Sequence, residues 1–194
     1  MKKIRLAILI SGRGSNMEAL INACAQPDYP AEIAVVVSNR PEAPGLVKAR
    51  AAGLKTAIVD HKQYQGRPAF EAALQETILS YAPVDLVCLA GFMRILTAGF
   101  VNQWTERMIN IHPSLLPDYK GLDTHARALA DSRAEAGCTV HYVTPEMDDG
   151  PVIVQKRVPI LPGDTPEALA ARVLAEEHGA YVEAVRLAAS RISG

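Results

Sequence analysis

Short apolar runs, each followed by a segment with helical spacing, fill the first half of the chain. The runs lack polar–apolar alternation, which is typical of strands covered by helices on both faces. We predict five such strands, at residues 4–10, 33–37, 56–59, 86–90 and 108–111. Helical periodicity predicts helices at residues 15–25, 43–52 and 70–81. Strands that alternate with helices indicate an α/β protein with a parallel sheet.

The second half of the chain has a different pattern. The predicted strands at residues 139–143 and 152–158 have no long helix between them, so we expect them to extend the sheet in an antiparallel manner. A last helix should begin after Asp164 or Thr165, with Pro166 in its first turn, and continue to about residue 190.

Composition narrows the classes of protein that remain. With 194 residues, 49% of them hydrophobic, we expect one domain over residues 1–194 with a substantial core. A net charge of −1 argues against a general nucleic-acid binder or a polybasic membrane binder. The apolar runs are too short for a membrane span or a secretion signal. Three scattered cysteines predict neither disulfides nor a zinc site and favour a cytoplasmic protein.

Polar and glycine residues gather where the predicted parallel strands end. Ligands of open parallel sheets bind outside these carboxyl ends. The five ends are Ser11-Gly12, Ser38-Asn39, Asp60-His61, the stretch 91–94 and Asn110 with His112. Because all five ends carry polar or glycine residues, we predict a ligand site along this edge of the sheet.

A glycine-containing loop follows the first strand and opens the first helix. Gly14, Ser15 and Asn16 there are suited to one phosphate, because a helix N-terminus offers free N–H groups and partial positive charge. A dinucleotide motif is disfavoured, since Met17 occupies the place of its third glycine. The alternative is that Ser15 merely caps the helix.

An amide and an imidazole end the fifth predicted strand on the same face. Asn110 and His112 are two residues apart, so both side chains point to one side of the sheet. Together they could polarise a carbonyl oxygen, and the imidazole could move a proton. Asp148 lies in an Asp-Asp-Gly-Pro sequence that a turn alone would explain. Glu177 lies in a row of apolar residues along the last predicted helix. It either borders the buried face of that helix or lines a pocket.

Four stretches resemble the folate-dependent phosphoribosylglycinamide formyltransferases of purine synthesis. They are residues 8–16 (ILISGRGSN), 89–96 (LAGFMRIL), 110–117 (NIHPSLLP), and 141–148 with the following Gly150-Pro151. The resemblance covers essentially the whole chain. It implies a Rossmann-like formyltransferase fold, with a mostly parallel seven-stranded sheet, helices on both faces and an antiparallel C-terminal extension.

The resemblance also implies a reaction. The formyl group of 10-formyltetrahydrofolate, the co-substrate, would pass to the amine of glycinamide ribonucleotide without a metal. The partners would be these small molecules, not nucleic acid or a membrane, and the chain would be a monomer or homodimer. The ribonucleotide would occupy the N-terminal half and the folate the C-terminal half.

Site roles follow from the matching positions. Asn110, His112 and Asp148 correspond to the family's catalytic trio. Gly14, Ser15 and Asn16 correspond to the loop that holds the ribonucleotide phosphate, and Glu177 to a carboxylate that contacts the same substrate. The formyl-folate residues would be Arg67, Met93, Arg94, Ile95 and Leu96, together with Asn110.

Two positions depart from the family pattern. Asp123 stands where members usually have histidine, and we expect a peripheral role for it. Asp149 stands where many members have glycine.

Three other functions use parts of the same motif set. A formyltetrahydrofolate hydrolase and a methionyl-tRNA formyltransferase each carry a further domain, for which this sequence leaves no room before Gly12 or after Gly194. A non-catalytic nucleotide-binding module would keep the phosphate loop but would not need Asn110 and His112.

Overall fold

The computed structural model describes residues 3–193. Its seven strands form one sheet, in the order β3-β2-β1-β4-β5-β6-β7. The strands are β1 (Ile4–Ile10), β2 (Ala31–Ser38), β3 (Thr56–Ile58), β4 (Leu86–Leu89), β5 (Met108–His112), β6 (Glu135–Tyr142) and β7 (Val152–Pro159). The helices are α1 (Ser15–Cys24), α2 (Pro44–Ala51), α3 (Arg67–Leu79), α4 (Ala98–Val101), α5 (Thr124–Ala130) and α6 (Pro166–Ser193).

The first five strands are parallel, and the last two extend the sheet in antiparallel pairs β5–β6 and β6–β7. Helices cover both faces. One face packs against α1, α2 and α6, and the other packs against α3 and the segment from Phe100 to Trp104. The predicted fold class is therefore confirmed. The predicted domain includes Met1, Lys2 and Gly194, which lie outside the described residues.

Burial on both faces explains why the parallel strands have no polar alternation. Every residue of β1 except Arg5 is buried, and β4 is buried throughout. Since both faces of these strands meet helices, each side chain position favours an apolar residue. Because β1 to β5 are parallel, their carboxyl ends and the loops that follow them lie at the same edge of the sheet.

The largest differences between the structure and the predicted elements are at α3, at β6 and at two short helices. α3 begins at Arg67, three residues before the predicted helix, because Pro68 occupies its first turn. Strand β6 begins at Glu135 rather than residue 139, and a Cβ on Gly137 would lie 2.0 Å from the Lys156 carbonyl oxygen. This close approach of β7 requires the glycine, which interrupts the apolar pattern. The short helices α4 and α5 were not predicted.

Candidate functional site

The glycine loop between β1 and α1 is held in a conformation that suits glycine. Gly14 is the N-cap of α1, with φ of 72°. A Cβ there would lie 3.0 Å from Met17 Cε and 3.2 Å from Gly45 Cα. The backbone N–H of Gly45, at the start of α2, donates to Gly12 O at 3.0 Å. Ser15 is the first helical residue and not the cap, so the capping alternative is wrong.

Asn16 and Glu177 bring α1 and α6 together behind this loop. Asn16 Nδ2 donates to Glu177 Oε2 at 2.7 Å, and each residue is 8% exposed. Burial raises the pKa of Glu177, while the hydrogen bond from Asn16 opposes that shift. Asn16 Oδ1 is buried and has no hydrogen-bond partner among residues 3–193. A polar ligand with a donor group is the natural partner for such an oxygen.

His112 lies at the end of β5 with its ring fixed by the backbone. Its Nε2 lies 2.9 Å from the carbonyl oxygen of Tyr119, and its Nδ1 lies 3.4 Å from Asp148 Oδ2. Because a carbonyl oxygen only accepts, Nε2 carries the proton and donates it. The other nitrogen, Nδ1, therefore faces Asp148 and is the one available for proton transfer.

Asn110 is oriented by His141, a residue that sequence reasoning did not select. His141 Nδ1 donates to the carbonyl oxygen of Tyr142 at 2.9 Å, and burial lowers the pKa of His141. Its unprotonated Nε2 thus accepts from Asn110 Nδ2 at 3.3 Å. One N–H of the amide is used in this way, and the second remains for another acceptor. Only the register that pairs Asn110 with His141 brings them together.

The position of Asp148 is compatible with both the turn interpretation and the site interpretation. Its φ of 52° is left-handed, as in many turns that contain Asp. Its carboxylate nonetheless reaches into the site, where Oδ2 accepts from the backbone N–H of Gly121 at 2.9 Å and Oδ1 lies 3.7 Å from His141 Nε2. The next residue, Asp149, forms an exposed ion pair with Lys120. The loop after β5 and the turn before β7 are joined at these two points.

The candidate folate residues present exposed side chains. Met93 is 61% and Ile95 is 64% exposed, Arg94 is exposed, and Leu96 is half-buried. Arg67 is exposed at the first residue of α3. Within residues 3–193, no side-chain hydrogen bond or ion pair joins this group to Asn110, His112 or Asp148. Met93 and Ile95 thus place two exposed apolar side chains beyond the carboxyl end of β4, on the edge of an open parallel sheet where ligands bind.

Asp123 and His125 lie at the start of α5. Asp123 is the N-cap of α5, has φ of 56°, and its side chain makes no capping hydrogen bond. The pKa of His125 is lowered by burial and by the neighbouring His112. Its Nε2 is buried and has no partner among the residues described. A cavity of about 360 Å³ lies on this side, under the loop from Pro113 to Tyr119, and not at the trio itself.

Residues 3–193 contain no group of three or more His, Cys, Asp or Glu side chains arranged to hold a metal ion. None of the described helices has both the length and the apolar character needed to cross a bilayer.

Sequence comparison assigns the family. A model described as formyl transferase matches residues 4–185. The chain belongs to the formyl transferase family. It is 45% identical over 178 residues to the phosphoribosylglycinamide formyltransferase of Escherichia coli (strain K12), which covers 92% of this chain and 84% of that protein. It is also 46% identical over 189 residues to the trifunctional purine biosynthetic protein adenosine-3 of Bos taurus, which covers 97% of this chain. The chain spans only 19% of that longer relative.

Solved structures agree with this assignment. Glycinamide ribonucleotide transformylase 1 from Symbiobacterium toebii superposes with a TM-score of 0.94 at 47% identity, covering 97% of this chain and 89% of that one. Phosphoribosylglycinamide formyltransferase from Brucella melitensis gives a TM-score of 0.92 at 49% identity, covering 97% of each chain. The predicted resemblance to the phosphoribosylglycinamide formyltransferases is confirmed.

Proposed function

We propose that this formyl transferase moves the formyl group of 10-formyltetrahydrofolate to the amine of glycinamide ribonucleotide, a step of purine synthesis. The observation that supports it most is the cluster of Asn110, His112 and Asp148 at the carboxyl end of β5. An amide donor, an imidazole and a carboxylate lie there, at the edge of the sheet that also carries the glycine loop after β1. The printed names of its relatives point to the same substrates.

The amine of the ribonucleotide attacks the formyl carbon, and negative charge develops on the formyl oxygen. The free N–H of Asn110 and, when the ring carries a second proton, the Nδ1–H of His112 stabilise that oxygen, as donors do in oxyanion holes. His112 and Asp148, either directly or through a water molecule, then help to move a proton from the amine toward the folate nitrogen. The C–N bond to the amine forms first, and the bond to the folate nitrogen breaks as that nitrogen takes up the proton.

The two substrates use different elements. The ribonucleotide phosphate binds the backbone of Gly14, Ser15 and Asn16, and Glu177 contacts the same substrate. The formyl-folate lies along residues 91–96, hereafter the folate segment, with Arg67 near its tail. The two sites do not divide between the two halves of the sequence. The ribonucleotide site draws on both halves, because Glu177 contacts Asn16. Arg67 and the folate segment both lie in the N-terminal half, and not in the C-terminal half where the folate was expected.

Further proposals concern the whole protein. Residues 1–194 act as one formyltransferase domain in the cytoplasm, as a monomer or homodimer. The partners are the two small molecules, and neither nucleic acid nor a metal takes part.

A direct assay tests the reaction. The chain is mixed with 10-formyltetrahydrofolate and glycinamide ribonucleotide, and tetrahydrofolate and formylated ribonucleotide are measured together. Equal amounts of both products are expected, and the His112→Ala variant is the inactive control. Formate release without ribonucleotide would instead identify a hydrolase. Binding of ribonucleotide without any turnover would identify a nucleotide-binding module.

A further inference from the structure

A buried pair of polar side chains lies between the glycine loop and the folate segment. Ser11 is 3% exposed and Asn39 is 2% exposed. Ser11 Oγ donates to Asn39 Oδ1 at 2.5 Å and accepts from the backbone N–H of Met93 at 2.8 Å. A buried hydroxyl that is both donor and acceptor fixes the groups on its two sides, because each loses its partner if it moves.

Ser11 holds the folate segment at two points. Its backbone N–H donates to the carbonyl oxygen of Gly91 at 3.1 Å, next to the end of β4. Its hydroxyl then binds Met93, two residues further along. Gly91 has φ of 74°, so the chain turns between these bonds. Ser11 therefore fixes the backbone of this segment on its buried side, while the side chains of Met93 and Ile95 remain exposed to solvent.

Asn39 extends the network toward α3. His61 Nδ1 lies 2.9 Å from the backbone carbonyl oxygen of Asn39 and 3.2 Å from Asn39 Nδ2. The ring of His61 packs edge-on against Phe70, with 6.4 Å between ring centroids. Phe70 lies in the first turns of α3, which begins at Arg67. The same network therefore reaches both elements that carry candidate folate residues.

We propose that Ser11 and Asn39 are positioning residues for the formyl donor. They hold the backbone of the folate segment at a set distance from the phosphate loop, which begins at the residue after Ser11. Neither side chain is exposed enough to touch a substrate, so both act through the backbone N–H of Met93. The inference rests on the proposed function, because it assigns the folate to this segment.

The Ser11→Ala variant tests the hydroxyl alone. It leaves the Met93 N–H and Asn39 Oδ1 without a partner but keeps the backbone bond from Ser11 to Gly91. We expect about tenfold weaker binding of a folate analogue by calorimetry, with ribonucleotide binding within about twofold. Amide hydrogen exchange at Met93 should be at least about tenfold faster, since exchange reports the opening of that hydrogen bond. Ser190→Ala, an exposed serine near the end of α6, is the matched control and should change neither.

A second pair of variants tests Asn39. Asn39→Leu removes the acceptor of the Ser11 hydroxyl, while Asn39→Asp retains an oxygen at that place. Folate-analogue binding should therefore be weaker in Asn39→Leu than in Asn39→Asp. Ser11→Thr, which keeps the hydroxyl, should restore the slow exchange of the Met93 amide.

Several outcomes would overturn the proposal. One is unchanged folate-analogue binding in both Ser11→Ala and Asn39→Leu. Another is a loss of ribonucleotide binding as large as the loss of folate-analogue binding. The third is unchanged amide exchange at Met93 in Ser11→Ala. The readouts do not require turnover. An unmodified chain that binds the analogue without transferring formyl would overturn only the proposed function, whereas one that binds no analogue would overturn both.

Discussion

Asp148 is the residue for which the sequence left two interpretations equally open. Its left-handed backbone accounts for the turn, and its carboxylate contacts account for a role in the site. Both features are present in the structure, and each is compatible with one of the two interpretations. Only a substitution that keeps the turn and removes the charge separates them.

Asp148→Asn is that substitution. Asparagine accepts a left-handed φ, and its amide oxygen still accepts from the Gly121 N–H. We expect normal folding and near-normal binding of both substrates. The kcat should fall by about 10²-fold or more, the usual scale for proton-transfer catalysis. Steady-state kinetics and calorimetry measure both quantities.

The neighbouring Asp149→Asn is the matched control for Asp148. It removes an exposed ion pair with Lys120, which contributes little to stability. Its kcat should stay within about threefold of the unmodified value. If Asp148→Asn instead gives modest losses spread over stability and both KM values, Asp148 is a turn residue and the trio is wrong.

Sequence reasoning found candidate residues that lie close together along the chain and missed those joined across the sheet. Asn110 and His112 were visible because their spacing sets a shared face. His141 was not selected, because its contact with Asn110 depends on the pairing of β5 with β6. Gly45 was missed for the same reason, since its place beside Gly14 comes from the packing of α2 on the loop.

Two glycines of the loop between β1 and α1 differ in the space that is available for a Cβ atom. At Gly14 a Cβ meets Met17 and Gly45 and φ is positive, whereas at Gly12 no atom lies within 4 Å of such a Cβ. Gly14→Ala should therefore raise the KM for ribonucleotide about tenfold or more, with little change in folate-analogue binding. Gly12→Ala should leave both within about twofold. Similar losses in the two variants would contradict the phosphate assignment to Gly14.

Asp123, which stands where members of the family usually have histidine, is the N-cap of α5. Histidine tolerates a left-handed φ better than most residues, and Asp123 makes no capping bond that would be lost. We expect Asp123→His to change kcat/KM by less than about tenfold, or about 1.4 kcal/mol. The measurement is steady-state kinetics with each substrate varied. A larger change in the KM for folate would mean that Asp123 contacts the folate.

Elements were predictable where one physical signal dominated. The parallel strands are short apolar runs buried on two faces, so β1 was found with its observed ends. α4 and α5 span four and seven residues, too few for a clear helical period. The start of β6 was not predicted, because Gly137 interrupts the apolar run. The close approach of β7 requires a glycine at that position. Short helices and strand ends thus depended on tertiary packing.

The interior of the protein holds titratable groups whose pKa shifts have opposite signs. Burial lowers the pKa of His141 and His125, so the folded chain resists their protonation. Burial raises the pKa of Glu177, so the folded chain takes up that proton more readily than the unfolded chain. Stability from the histidines is present above their ordinary pKa and is lost as pH falls below it. The contribution of Glu177 is present at low pH and is lost as pH rises through its folded pKa.

We therefore expect the free energy of unfolding, measured with urea between pH 8 and pH 5.5, to fall on acidification. For His141, which is 2% exposed, the limiting slope is about 1.4 kcal/mol per pH unit below its ordinary pKa. His141→Gln removes that group and should make the decline shallower. Glu177→Gln keeps an acceptor for Asn16 but removes the opposing proton uptake, so its decline should be steeper at pH values below the raised pKa of Glu177. Curves for both variants that run parallel to the curve of the unmodified protein would show that His141 and Glu177 do not govern the pH dependence.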